Sequence, residues 1–135
     1  MTIEELAVAY HKNGFNCAQS VLCACGRYTG LDEKTALAVS GGFGGGLRCG
    51  EVCGAISGAV MAAGLCFPYS DSENLEAKGT IAALARELTG AFREKYGAVR
   101  CEEIKVDTAR CNEFIAFMAE LAGQMVQNRL KATEA

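Results

Sequence analysis

Apolar residues recur along this chain at spacings of three and four, and nowhere do they alternate with period two over the length of a strand. Thr2 and Glu5 form a capping box ahead of Ile3, Leu6, Ala7 and Tyr10, which predicts a first helix to about Lys12, stopped by Asn13-Gly14. Asn16 and Gln19 repeat the box, and Val21, Leu22, Cys25 and Tyr28 carry a second helix to near Gly30. Asp32 caps a short helix from Glu33 to Val39. Beyond a turn around Pro68, Ser70 and Glu73 are expected to start a long helix with an inner stripe of Leu75, Ile81, Leu84, Ala85, Leu88 and Phe92, closed by Gly97. Residues Ala98 to Val106 hold one short helical turn with Cys101 and Ile104. Asp107 caps a last helix in which Cys111, Phe114, Ile115, Met118, Leu121, Ala122 and Met125 repeat, and the polar tail after Leu130 is expected to fray.

One stretch departs from this amphipathic pattern. From Ser40 to Cys66 a glycine loop (Gly41, Gly42, Gly44, Gly45, Gly46) leads into an apolar segment with Gly50, Gly54, Gly58, Ala62 and Cys66 at every fourth place. Each glycine costs a helix interior about 1 kcal/mol relative to alanine. Such a row makes sense where another backbone must approach closely, because residues four apart form one ridge on a helix. The reading is a central buried helix with Cys53 in its first turns. The fold class that follows is all-α: a compact single-domain bundle, residues 1–135, of five to six helices around this Gly/Ala-rich element.

Composition narrows the function classes. A net charge of -3 and no Lys/Arg cluster leave no footprint for nucleic acid. The charge-free run from Val52 to Tyr69 contains glycines and Pro68, which fits a buried helix better than membrane insertion. The opening MTIEELAVAYHKNG lacks the basic and apolar regions of a secretory signal, so a cytoplasmic setting is expected. Eight cysteines in 135 residues stand out in such a setting, where they serve as apolar filler or as redox and metal groups.

Position sorts them. Cys17 follows the Asn16 cap, Cys53 lies near the start of the central helix, and Cys111 lies in the first turn after Asp107. Unpaired backbone N–H groups and the positive end of the helix dipole favour a thiolate at such places. Cys101 leads into the same last helix, so four cysteines from three parts of the chain can meet at one end of the bundle. Cys49 is a candidate fifth if the central helix starts early. Cys23, Cys25 and Cys66 read as small core residues. There is no CxxC pair, and the glycine loop lacks the Lys-Ser/Thr of a P-loop. Its N–H groups can instead point at a thiolate or cluster. His11 reads as a solvated cation at a helix C-terminus and Glu51 as an exposed first-turn residue. Arg48 and Arg100 read either as surface charge or as groups that lower a neighbouring thiol pKa.

Asn16-Cys17-Ala18-Gln19-Ser20-Val21-Leu22, the run Gly50-Glu51-Val52-Cys53-Gly54-Ala55-Ile56-Ser57-Gly58, and then Cys101 and Cys111 resemble the C-GCAxxG-C-C family. These are small bacterial and archaeal proteins to which redox activity has been ascribed. The family's CGAxxG core stands here as Cys53 to Gly58. The resemblance implies that Cys17, Cys53, Cys101 and Cys111 are the signature cysteines, and it names no substrate.

Three readings follow. In the first, the chain is a cytoplasmic redox-active protein whose four cysteines cycle between thiol and disulfide with an unidentified redox partner, Cys17 or Cys53 attacking. In the second, Cys17, Cys53, Cys101 and Cys111 hold an iron–sulfur cluster or zinc for electron transfer or sensing. In the third, it is a non-catalytic helical interaction module whose small-residue ridges pair helices within the chain or in a homodimer.

Overall fold

The computed structural model describes residues 1–104 and 107–134, and side chains through residue 132. The chain is all-α: among the described residues eight helices occur, two of them single turns of four residues, and extended pairing is limited to one isolated bridge. The count exceeds the expected five to six because the second helix breaks in two after Ala24 and the Cys101 segment forms a turn of its own. The six longer helices are α1 (Ile3–Lys12), α2 (Cys17–Ala24), α4 (Glu33–Ser40), α5 (Gly54–Cys66), α6 (Leu75–Tyr96) and α8 (Thr108–Glu134), and the single turns are α3 (Gly26–Thr29) and α7 (Cys101–Ile104).

The capping boxes predicted from Thr2/Glu5 and Asn16/Gln19 both form, and Asp32 accepts the Thr35 N–H at 3.0 Å. Asp107 accepts the Arg110 N–H at 2.9 Å at the head of α8, and Gly97 ends α6 with φ 84°. Several boundaries differ. The second helix breaks after Ala24 and resumes as α3, ending at Gly30 in the left-handed region (φ 68°). Asn74, accepting from the Ala77 N–H, caps α6 in place of the Ser70/Glu73 pair. Leu75 lies ahead of the packed stripe and is 72% exposed, while Leu84, Leu88 and Phe92 are buried. The tail after Leu130 stays helical to Glu134. The end of the Ala98–Val106 segment lies outside the described residues, and its predicted short turn is α7.

The glycine-rich helix occupies the centre. Gly54, Ala55, Ile56, Gly58, Ala59, Ala62 and Ala63 of α5 are all buried, with α2, α6 and α8 packed around them and α1 closing the layer over α2 and α8. Phe92, Phe114, Leu22, Ile56, Leu84 and Leu88 fill the space between. The glycine ridge does what its spacing implied. A Cβ on Gly58 would lie 2.6 Å from the Ala18 carbonyl oxygen, and one on Gly54 would lie 2.6 Å from Cys17 Sγ and 2.9 Å from the Phe43 carbonyl oxygen. The missing side chains let α2 lie directly on α5 with Cys17 against its first turn.

The helix starts later than the four-residue repeat suggested. It begins at Gly54, Cys53 is its N-cap, and Cys49 and Gly50 stand outside it. The chain from Gly46 to Gly50 is a tight loop in which Leu47 (φ 59°) and Arg48 (φ 63°) adopt left-handed conformations. Two successive non-glycine residues there store strain on the order of 1–2 kcal/mol each. No helix among the described residues is long and apolar enough to cross a membrane.

Candidate functional site

The lower end of α2 is anchored twice over. Asn16 accepts the Gln19 N–H at 2.9 Å and donates its carboxamide N–H to the Gly41 carbonyl at 2.9 Å, while Gln19 returns a bond to the Asn16 N–H and donates to the Leu37 carbonyl. The cap of α2 is thereby tied to the glycine loop. Gly44 packs on the Asn16 side chain with no room for a Cβ, and this contact sets Gly45 beside Cys17.

A second device brings in the distant cysteines. Val52 and Arg100 form an antiparallel bridge. The Cys53 N–H donates to the Val99 carbonyl at 2.8 Å, and the Cys101 N–H donates to the Glu51 carbonyl at 2.7 Å. Cys53 and Cys101 are thus held on facing segments although 48 positions separate them (101 − 53). Cys111 comes from the first turn of α8, whose start is fixed by the Asp107 cap. Cys17, Cys53, Cys101 and Cys111 all line one cavity of about 150 Å³, together with His11, Asn16, Gly45, Arg48, Ile104 and Phe114.

Within this cavity Cys17 and Cys53 are neighbours of unequal acidity. The Cys17 thiol is lowered from 9.0 to about 6, chiefly because the Cys53 thiol donates to its sulfur; burial opposes this, and the backbone N–H groups of Gly45, Ala18 and Cys17 itself add to it. Cys53, 3% exposed, is pushed far above the usual thiol range, first by that same bond, which it makes as the protonated donor, then by burial and by the Cys17 charge. The direction of the two shifts favours the negative charge on Cys17 and the proton on Cys53. The idea that glycine-loop N–H groups face a thiolate has a counterpart in Gly45.

The other candidates fall elsewhere. Cys49 is exposed, and its thiol donates to the Gly46 carbonyl at 3.6 Å, apart from the cavity lining. Cys25 and Cys23 are buried, with thiols pushed up to about 12 and about 11, mainly by desolvation. Burial raises Cys66 as well, and its thiol donates to the Tyr28 carbonyl at 3.5 Å. Arg100 pairs with Glu51, Glu102 and Glu103, all exposed, and those carboxylates raise its own pKa, Glu102 most. Glu51 lies ahead of the helix and spends its charge on Arg100. Arg48 reaches the cavity rim from the strained loop.

His11 differs from its sequence expectation. It sits in the last turn of α1 as expected, but it is half-buried at the cavity wall and not solvated, with Nδ1 2.6 Å from Asn112 Oδ1. Since that oxygen accepts, Nδ1 carries the hydrogen in this bond. The packing of α1 on α8 creates this contact, and nothing local to His11 announces it. The position of Asn112, directly after Cys111, is the one hint the chain offers. Among the described residues, no group of three or more His, Cys, Asp or Glu side chains is arranged to hold a metal ion.

The family model described as "Putative redox-active protein (C_GCAxxG_C_C)" matches residues 15–125. The chain belongs to this family. The matched span runs from two residues before Cys17 to beyond Cys111 and so contains every cysteine of the cavity. No curated protein and no solved structure matches the chain.

Proposed function

We propose that the chain is a two-electron thiol redox protein whose working pair is Cys17 and Cys53. The observation that carries this reading is the meeting of Cys17 and Cys53, each shifting the other's acidity in opposite directions, in a cavity lined by the four signature cysteines. Cys17 is the nucleophile, since the thiolate is the reactive form and Cys17 holds it near neutral pH. Cys53 resolves. While Cys17 is an anion, Cys53 stays protonated; once Cys17 is covalently engaged, that charge is gone and Cys53 can ionise and close the Cys17–Cys53 disulfide. Cys101 and Cys111, in the same cavity, provide a second dithiol to which the disulfide can pass by exchange. A reducing cytoplasm and an external thiol partner complete the cycle.

The test is an anaerobic titration of the whole protein in dithiol/disulfide buffers of graded potential, with disulfides mapped by mass spectrometry. A two-electron transition that tracks a Cys17–Cys53 bond supports the reading. Cysteines that stay reduced across the range in which neighbouring thiols pair refute it. Iron with stoichiometric sulfide in anaerobically purified protein would replace it by the four-thiolate cluster reading.

A further inference from the structure

We propose that the oxidant consumed at the Cys17–Cys53 pair is a small hydroperoxide, reduced in the four-cysteine cavity to the corresponding alcohol, or to water when hydrogen peroxide is the substrate. This rests on the dithiol reading above and adds the chemical class of the electron acceptor.

Size comes first. The cavity measures about 150 Å³, below the roughly 300–1,000 Å³ of sites that take drug-sized ligands. It has room for a few molecules the size of water, each about 30 Å³ in the liquid. Cys17 is only partly exposed and Cys53 is buried. A peptide disulfide brings carbon chains on both sulfurs, and a thiolate attacking one sulfur must also leave a path for the other to depart. A hydroperoxide presents a terminal O–H, and for the smallest members the leaving group is no larger than the attacked end. The pair is enclosed in a way that suits a small oxidant and obstructs a bulky one.

The lining comes second. His11, Asn16 and Arg48 bring polar side chains to the same wall as the thiols. Arg48, an exposed residue on the cavity rim, brings a cation to the lining that can offset charge on the departing oxygen. Cys53, the buried thiol beside Cys17 in the cavity, supplies the proton.

The chemistry balances. The Cys17 sulfur attacks the terminal oxygen, an S–O bond forms, the O–O bond breaks and alkoxide leaves. Alkoxide takes the Cys53 proton, giving the alcohol, a Cys17 sulfenic acid and a Cys53 thiolate. That thiolate attacks the Cys17 sulfur and expels hydroxide. In total, one thiolate, one thiol and one hydroperoxide give one disulfide, one alcohol and one hydroxide, with two electrons passing from sulfur to oxygen. The disulfide then passes by exchange to Cys101 and Cys111, where an external dithiol reduces it.

The experiment mixes the reduced, full-length protein anaerobically with hydrogen peroxide, cumene hydroperoxide or glutathione disulfide, quenches with acid, and quantifies the Cys17–Cys53 disulfide over time. Hydrogen peroxide is expected to oxidise the pair at least about a hundredfold faster than it oxidises free cysteine, and both bulky oxidants to react more than about tenfold more slowly than hydrogen peroxide. In Cys53→Ser, a Cys17 sulfenic acid accumulates and is trapped by dimedone; the wild-type rates stand as the test if that variant does not fold. Peroxide reacting no faster than with free cysteine, while dithiol/disulfide buffers still form the Cys17–Cys53 bond, overturns the peroxide proposal and leaves the dithiol reading standing. Failure of every oxidant and every buffer to form that bond overturns both.

Discussion

The two ends of α2 carry cysteines in opposite states, although one short helix separates them. At its N-terminus Cys17 receives hydrogen bonds from the Cys53 thiol and from backbone N–H groups, and its thiol falls to about 6. At its C-terminus Cys25 caps the helix inside the core, where desolvation lifts it to about 12, with Cys23 at about 11 beside it. The N-terminal end of a helix offers free donors to an anion, and the C-terminal end offers only carbonyls. Burial is common to both ends. What separates a chemical cysteine from a packing cysteine here is the supply of donors.

The strongest way to break this contrast is to exchange the ends. Cys17→Ser should abolish the two-electron transition in a redox titration, whereas Cys23→Ala should leave its position unchanged. Gly58→Val comes next: its side chain would collide with the Ala18 carbonyl, so urea denaturation should show a loss of about 3 kcal/mol. Gly54→Ala is aimed at the site, because the new Cβ would displace Cys17 Sγ, and it should raise the pH at which Cys17 becomes reactive.

The pH dependence of stability sharpens the contrast further. Cys17 has a folded pKa of about 6 against 9.0 for the free group, so its thiolate stabilises the fold in full above pH 9, and that contribution falls away as pH drops through 6. Cys23 and Cys25 have raised folded values, so their contribution is whole below pH 9 and declines above it as the unfolded thiols ionise. Denaturation curves should therefore show stability rising between pH 6 and 9 in wild type, and a shallower rise in Cys17→Ser. The smallest effects concern the supports. Asn16→Ala removes the α2 cap and should cost about 1 kcal/mol, while Arg100→Ala, with its exposed partners, should change stability by less than about 0.5 kcal/mol.

Much of the framework was legible because caps and ridges are local. Thr2/Glu5, Asn16/Gln19, Asp32 and Asp107 each signal a helix start within four residues, and the glycines at 54 and 58 announced close packing before the partner helix was known. The start of α5 was not legible, since the four-residue repeat continues back through Gly50 while the backbone does not: the left-handed turn at Leu47 and Arg48 and the bridge to Arg100 win over the repeat. That bridge pairs residues far apart in sequence, and no periodicity records it. The gathering of Cys17, Cys53, Cys101 and Cys111 could be suspected from their helix-start positions. The unequal sharing of charge between Cys17 and Cys53 could not, because it depends on sulfur meeting sulfur across two helices. His11 shows the same limit, its role at the wall being created by Asn112.

The most direct test of the central claim is the pH profile of alkylation in the folded, metal-free protein, with the eight cysteines read separately by mass spectrometry after brief exposure to iodoacetamide. The account predicts one thiol, Cys17, reacting with a midpoint near pH 6 and on the order of tenfold faster at that pH than an exposed cysteine, with Cys23 and Cys25 protected well above pH 9. A Cys17 profile that rises only near pH 9, together with the other thiols, would contradict it.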